Sequence, residues 1–158
     1  MGKTNFVVDK EDLQVVASRV FDAPLEAVWK AVTDPKLLSQ WWGPRNLTMI
    51  VDKMDFRVGG EWRFIHKDQS GAEYGFHGVY KVIEPMNRVT DTFNFEGIPA
   101  GHEMVETLTL QEVEGGKTKM TTTAQFANIQ DLEGMVNSGM ESGQTESIDR
   151  LAELIEKK

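Results

Sequence analysis

Cysteine is absent from the chain. Disulfides, thiol nucleophiles and cysteine-based zinc sites are excluded with it. Also missing is any run near the eighteen or so apolar residues that a membrane-spanning helix needs. The opening residues, Met1-Gly2-Lys3-Thr4-Asn5, lack the apolar core of a signal peptide. A cytoplasmic location is the expectation. Basic residues are the minority, 17 against 25 acidic, and the net charge is −8. Nucleic acid and anionic membranes demand clustered positive charge, so neither is the expected main partner. Histidine occurs only as His66, His77 and His102, without HExxH or other paired ligand spacing. No GxSxG motif is present. Gly59-Gly60 is followed by a strand rather than a helix, so it is no phosphate loop. No metal, no cofactor and no dedicated catalytic residue is expected.

What is present describes an ordinary globular chain. Apolar residues make up 40% and charged residues 27% of 158 positions, enough for one domain with a real core. There is no internal repeat and no low-complexity linker. Residues 1–12 read as a polar, partly ordered arm with Phe6-Val7-Val8 as an anchor. Residues 13–158 read as one domain.

Leu13 to Phe21 is rich in valine and reads as a strand. Leu25, Val28, Trp29 and Val32 stand at helical spacing after Pro24, giving a short helix over 24–33. Asp34-Pro35 starts a second helix, with Leu37, Leu38, Trp41 and Trp42, that Gly43-Pro44 ends. The period then changes to two. Leu47 to Phe56 is a strand, and Val58-Gly59-Gly60-Glu61 a tight hairpin turn. Trp62, Phe64 and His66 share a face, with Arg63 and Ile65 on the other. Tyr74 to Glu84 is a long strand. Val89, Asp91, Phe93 and Phe95 alternate on the next, and a loop spans 97–101 with Pro99. Met104, Glu106, Leu108 and Leu110 share a face, as do Met120, Thr122, Ala124 and Phe126.

From Asp131 the chain reads as helix. Ile148, Leu151, Leu154 and Ile155 form one apolar stripe. Glu146, Asp149, Arg150, Glu153 and Glu156 take the other faces, read as a solvated surface. Lys157 and Lys158 suit the negative end of the helix dipole. Gly134, Gly139 and Gly143 interrupt the pattern. A helix of about 27 residues would run about 40 Å at 1.5 Å per residue. So the segment either spans the fold or breaks near Ser138-Gly139. The order is β-α-α-β6-α. Six consecutive strands on short turns are antiparallel, and the first strand makes a seven-stranded curved sheet. A curved sheet around one long helix leaves space between them, the natural place for a ligand.

This order resembles the START-like (SRPBCC) superfamily, α+β proteins with a helix-grip (START-like, Bet v-like) fold. Within it the chain resembles the family named for the activator of heat-shock protein 90 ATPase homologue. The residues that carry the resemblance are Phe21-Asp22-Ala23-Pro24 with Val28-Trp29, Thr33-Asp34-Pro35, and Leu38 to Trp42-Gly43-Pro44. Asp55-Phe56-Arg57-Val58-Gly59-Gly60 with Trp62-Arg63-Phe64 follows, then Gly78-Val79-Tyr80, Glu84-Pro85, Arg88-Val89 and Ser147 to Leu154. The match spans about residues 13–156. The family often carries Gly-Trp in the terminal helix, where this chain has Gly143-Gln144. The resemblance implies a cavity-bearing domain. Relatives bind lipids, hormones or polyketides, cyclise polyketides, or stimulate a chaperone ATPase, and a shared fold does not choose among these.

Three readings follow. The first is binding of a small hydrophobic or aromatic molecule between sheet and terminal helix. The second is a chaperone-interacting protein, and the third a polyketide cyclase- or hydrolase-like enzyme. Trp41, Trp42, Trp62 and Phe64 form either an aromatic wall or plain core. His66, Asp91 and Glu106 are polar residues on otherwise apolar sheet faces, either facing a cavity or paired at the rim. Tyr80, Phe93, Leu108, Met120, Met135, Gly139, Met140 and Gly143 complete the expected ligand contacts. Met104 adds to the methionines of an adaptable surround. Arg57 either binds an anion or pairs with Asp55. An edge strand allows a homodimer as well as a monomer.

Overall fold

A computed structural model describes residues 3–98 and 101–156. Pro99 in the expected loop, and Lys157 and Lys158 at the expected helix end, lie outside these residues, as do Met1 and Gly2 of the arm. The elements in chain order are β1 (Asn5–Asp9), β2 (Gln14–Phe21), α1 (Leu25–Thr33), α2 (Pro35–Trp41), β3 (Thr48–Met54) and β4 (Glu61–Lys67). They continue as β5 (Glu73–Glu84), β6 (Arg88–Phe95), β7 (Met104–Val113), β8 (Lys117–Gln125), α3 (Ile129–Asn137) and α4 (Met140–Ile155). The strands form one curved sheet of eight, in the order β1-β2-β8-β7-β6-β5-β4-β3, with every pairing antiparallel.

The count of eight corrects the expected seven. Residues 5–9, read as part of a loose arm, pair with β2, Phe6 opposite Ala17 and Val8 opposite Val15. Phe6 and Val8 pack on the core while Val7 faces out. Five residues give too little alternation to announce a strand between polar flanks. The Asp9 carboxylate accepts from the Glu11 and Asp12 amides, both at 3.1 Å, and so tightens the turn into β2.

The bent helix pair forms as its sequence requires. Asp34 caps α2 by accepting from the Lys36 amide at 2.9 Å, with Pro35 in the first turn. Trp41 is buried and donates its indole N–H to the Ala31 carbonyl at 2.9 Å, which locks α2 against α1.

The expected tight hairpin at Val58-Gly59-Gly60-Glu61 is instead a six-residue connection, 55–60, between β3 and β4. Its geometry explains both glycines. Gly59 has φ +85°, which favours glycine, and a Cβ on Gly60 would collide with the Asp55 carbonyl. The turn is stapled to β5, since Gly59 N–H donates to the Tyr80 carbonyl at 2.8 Å and Tyr80 N–H to the Gly60 carbonyl at 2.9 Å. Arg57 pairs with Asp55 at 2.9 Å.

The terminal segment breaks at Ser138-Gly139, one of the two alternatives posed above. Asn128 caps α3 by accepting from the Asp131 amide at 2.8 Å. Gly139 then takes the left-handed conformation, φ +97°, and α4 starts on a new axis. Ile148, Leu151 and Ala152 of α4 are buried in the core.

The outer face of α4 is not merely solvated. Arg45 pairs with Glu153 at 2.5 Å and its amide donates to Glu146 at 2.9 Å. Asp149 holds the buried Arg19 at 2.6 Å, and Glu156 accepts from the Asp22 amide at 2.8 Å. Arg150 donates to the carbonyls of Gln40, Gly43 and Pro44 at 2.8–3.2 Å. These contacts clamp α4 to β2, the chain after it and the end of α2.

Candidate functional site

Between the concave face of the sheet and the α3–α4 bend lies a cavity of about 460 Å³, flanked by α2. That volume falls within the usual range for small-molecule pockets, about 300–1,000 Å³. Its walls come from every strand from β4 to β8, because the period of two turns alternate side chains of each toward the hollow.

Every residue expected to touch a ligand lines this space. Trp41 and Trp42 enter from α2 and its C-terminus; Trp62, Phe64 and His66 from β4; Tyr80 from β5; Asp91 and Phe93 from β6. Glu106 and Leu108 come from β7, Met120 from β8, and Met135, Gly139, Met140 and Gly143 from the bend of α3 into α4. The two readings of the aromatic residues merge. Trp41, Trp62 and Phe64 are buried core residues whose inner surface is cavity wall.

Trp42 centres the aromatic cluster. Its ring lies 5.2 Å from Phe64, 4.8 Å from His66 and 5.6 Å from Phe76. Phe93 extends it, 5.6 Å from Trp62 and 5.5 Å from Phe76. Trp42 meets Phe64 and Phe76 edge to face, both at 72°, the arrangement the aromatic quadrupole favours, and the other pairs are tilted at 39–47°. Gly43 is obligatory beside them, with φ +99° and no room for a Cβ against the His66 ring. The rim at this end is held by Ser147, which accepts from the Gly43 amide at 3.0 Å and donates to the Trp41 carbonyl at 3.2 Å.

Phe76, Phe95, Met54, Phe56, Thr122 and Gln144 also line the cavity and were not among the expected contacts. Phe76 had a signal: it stands four residues before Tyr80 on one strand and therefore shares its face. Gln144 had one too, as the position where the family resemblance leads one to expect tryptophan. Its side-chain oxygen is buried without a hydrogen-bond partner.

The polar groups form a row across the middle of the concave face. Trp62 on β4 stands opposite Gly78 on β5, Tyr80 opposite Asp91 on β6, and Asp91 opposite Glu106 on β7. Gly78 must be glycine, since a Cβ there would strike the Thr92 carbonyl and crowd the Trp62 indole nitrogen. The strands kink here. The β5–β6 register shifts after Tyr80, and Thr92 Oγ1 satisfies the Val79 amide at 2.9 Å.

Directly opposite residues of an antiparallel pair sit side by side, so Asp91 and Glu106 present two carboxyl groups together. Both are enclosed by protein, and the surface they keep accessible is cavity wall. Burial pushes the Glu106 carboxyl up to about 7. Burial, and then the Glu106 charge, raise Asp91 well above the carboxylate range, against a smaller opposing effect of the Trp62 N–H. That N–H lies near Asp91 but makes no regular hydrogen bond. Tyr80 is raised by burial and by Asp91. His66 is lowered by burial, opposed by the Trp42 carbonyl, and its Nε2 has no partner. A carboxyl pair of this kind holds a proton at neutral pH that an ordinary carboxylate would lose.

The remaining histidines lie elsewhere. His77 is 3.4 Å from Glu96 on the outer face, and His102 is 2.8 Å from Asp131 at the start of α3. Among the described residues no three ligating side chains are grouped to hold a metal, and no helix is long and apolar enough to cross a membrane.

Comparison with known proteins places the fold. Among curated proteins none matches the chain. A protein from Arthrobacter aurescens superposes with a TM-score of 0.89 at 24% identity, over 98% of this chain and 92% of that one. One from Mycobacterium smegmatis gives 0.87 at 20% identity, over 96% of each. One from Chromobacterium violaceum gives 0.82 at 26% identity, over 92% of this chain and 99% of that one. The family model described as "Activator of Hsp90 ATPase homolog 1-like protein" matches residues 22–156. That span takes in the helix pair, the glycine turn that staples β5, every cavity wall and α4, and the chain belongs to this family.

Proposed function

We propose that the protein binds a small hydrophobic or aromatic molecule in the cavity between the curved sheet and the α3–α4 bend. The partly open cavity of about 460 Å³ with its aromatic walls is the observation that carries this reading. A domain that needed only a stable core would close such a space, because an unfilled void forfeits dispersion contacts. The break at Gly139 instead holds the helix in two pieces over it. The family and its fold support a ligand-holding role in general.

The test is native mass spectrometry of the protein as purified from cells, followed by thermal shift of the stripped protein with a panel of neutral and charged aromatic compounds. A co-purifying molecule or a saturable rise in Tm is expected. Absence of both would sink the proposal.

A second reading, acid–base chemistry of the cyclase or hydrolase kind, is favoured by one observation. Asp91 and Glu106 stand opposite each other in the cavity lining, where burial raises both carboxyls above their ordinary range, the direction a general acid needs. It adds turnover to the first reading and needs the same pocket.

A further inference from the structure

The chemistry of the cavity narrows what it holds. Its lining contains two carboxyl groups, one histidine and no lysine or arginine. Arg150, whose charge acts on His66, is spent on the carbonyls of Gln40, Gly43 and Pro44 at the rim. A fatty acid or other anionic ligand would add negative charge beside a pair that already shares one proton, with no lysine or arginine in the lining to offset it. A purely neutral ligand would strip water from the carboxyl pair and return no compensating charge.

We propose that the ligand is a hydrophobic molecule carrying a basic nitrogen, seated with that nitrogen against Asp91 and Glu106 and its apolar body against the aromatic wall. This rests on the small-molecule reading above. An ammonium group supplies several N–H donors to acceptors that have no protein cation of their own. Trp62, Tyr80 and Phe93 line the cavity near the pair, and aromatic rings accommodate a cation as well as an apolar body. Two further polar atoms are buried in the same wall without hydrogen-bond partners. The His66 ring is 5% exposed with Nε2 unpartnered, and Trp62 is 2% exposed with its indole nitrogen unpartnered. Two carboxyls without a third ligand are too few for a divalent metal, which takes six or more oxygens or a fixed set of donors.

The groups that face the pair are few. Trp62 comes from β4, Tyr80 from β5, with Asp55 of the glycine turn acting on it from behind. β8 offers only Met120, Thr122, Thr123 and Ala124 to the cavity, and α4 offers Gln144 and Ser147. Among the described residues no lysine or arginine lines the cavity, and burial disfavours the charged form of its one histidine, His66, so a bound ammonium would supply the positive charge the lining lacks.

The experiment uses three probes that share one ring system: naphthalene-1-methylamine, naphthalene-1-methanol and naphthalene-1-carboxylate. Each is titrated by calorimetry into the full chain, stripped of co-purifying material, at pH 7.5. The amine is expected to bind at least about tenfold tighter than the alcohol, and the carboxylate most weakly. Amine binding should also release protons from the carboxyl pair, read from the difference between two buffers of unlike ionisation enthalpy. In the Asp91→Asn/Glu106→Gln double variant the amine should bind no better than the alcohol. The wild-type ratio and the proton release stand whether or not that variant folds. Equal or tighter binding of the alcohol or the carboxylate overturns the amine assignment and leaves the cavity reading intact. No binding by any probe overturns both.

Discussion

At the scale of single residues, the Asp91–Glu106 pair makes a signed prediction about pH. A carboxyl whose folded-state pKa lies above its unfolded value binds more protons in the native state between the two. The native state is therefore favoured below the ordinary glutamate value of 4.5, and that advantage is lost as pH rises towards about 7. Glu106→Gln removes the charge and relieves Asp91. The ligand-free variant should be more stable than wild type at pH 8, by on the order of 1–3 kcal/mol. The difference should shrink towards zero near pH 4.5. His66 acts with the opposite sign, since its lowered pKa costs stability as pH falls below 6.5, but it is common to both proteins and cancels in the difference. Urea unfolding at pH 5, 6.5 and 8 measures it. A variant less stable than wild type at pH 8 would show that Glu106 is paired and charged in the native state. These residues were legible in the sequence because each stands at an even spacing from apolar neighbours on its own strand. The unpaired state of Trp62 Nε1 and Gln144 Oε1 was not, since it depends on what the other strands fail to offer.

At the scale of elements, the broken terminal helix sets two glycines against each other. Gly139 is left-handed, φ +97°, a conformation that costs an L-residue about 1 kcal/mol or more. Gly143 is helical with nothing within 4 Å of an added Cβ. Gly139→Ala should therefore lose about 1–2 kcal/mol, while Gly143→Ala should gain about 0.5–1 kcal/mol. Chemical denaturation of both variants decides it. The same sign for both would mean that the break is not held by the Gly139 backbone. The break itself was readable as one of two alternatives, because three glycines in one helical pattern exceed what propensity tolerates. The role of the acidic face of α4 was not. Its partners Arg45 and Arg19 lie 108 and 130 positions away from Glu153 and Asp149, and only the fold brings them together. β1 escaped for a related reason, because its strand character comes from pairing with β2 rather than from its own five residues.

At the scale of the whole molecule, a curved sheet of eight strands cannot be filled by two short helices and a bent one unless large side chains plug the middle. The family resemblance drawn from the sequence leads one to expect a tryptophan after Gly143. This chain has Gln144 there, lining the cavity with an unpaired oxygen. Gln144 sits on the cavity side of α4, at the element where the helix bends. Gln144→Trp puts the indole back. Burying an aromatic in place of an unpaired amide should stabilise the ligand-free fold by about 1–2 kcal/mol. In a chain of this length each kcal/mol raises Tm by about 2–4 °C. The same indole takes up volume that a ligand needs, so neutral aromatic probes should bind at least about tenfold more weakly. Stability and affinity should move in opposite directions, a signature that a remote or merely destabilising change does not produce. If the variant is less stable and still binds as wild type does, the cavity beside α4 is not where the ligand sits.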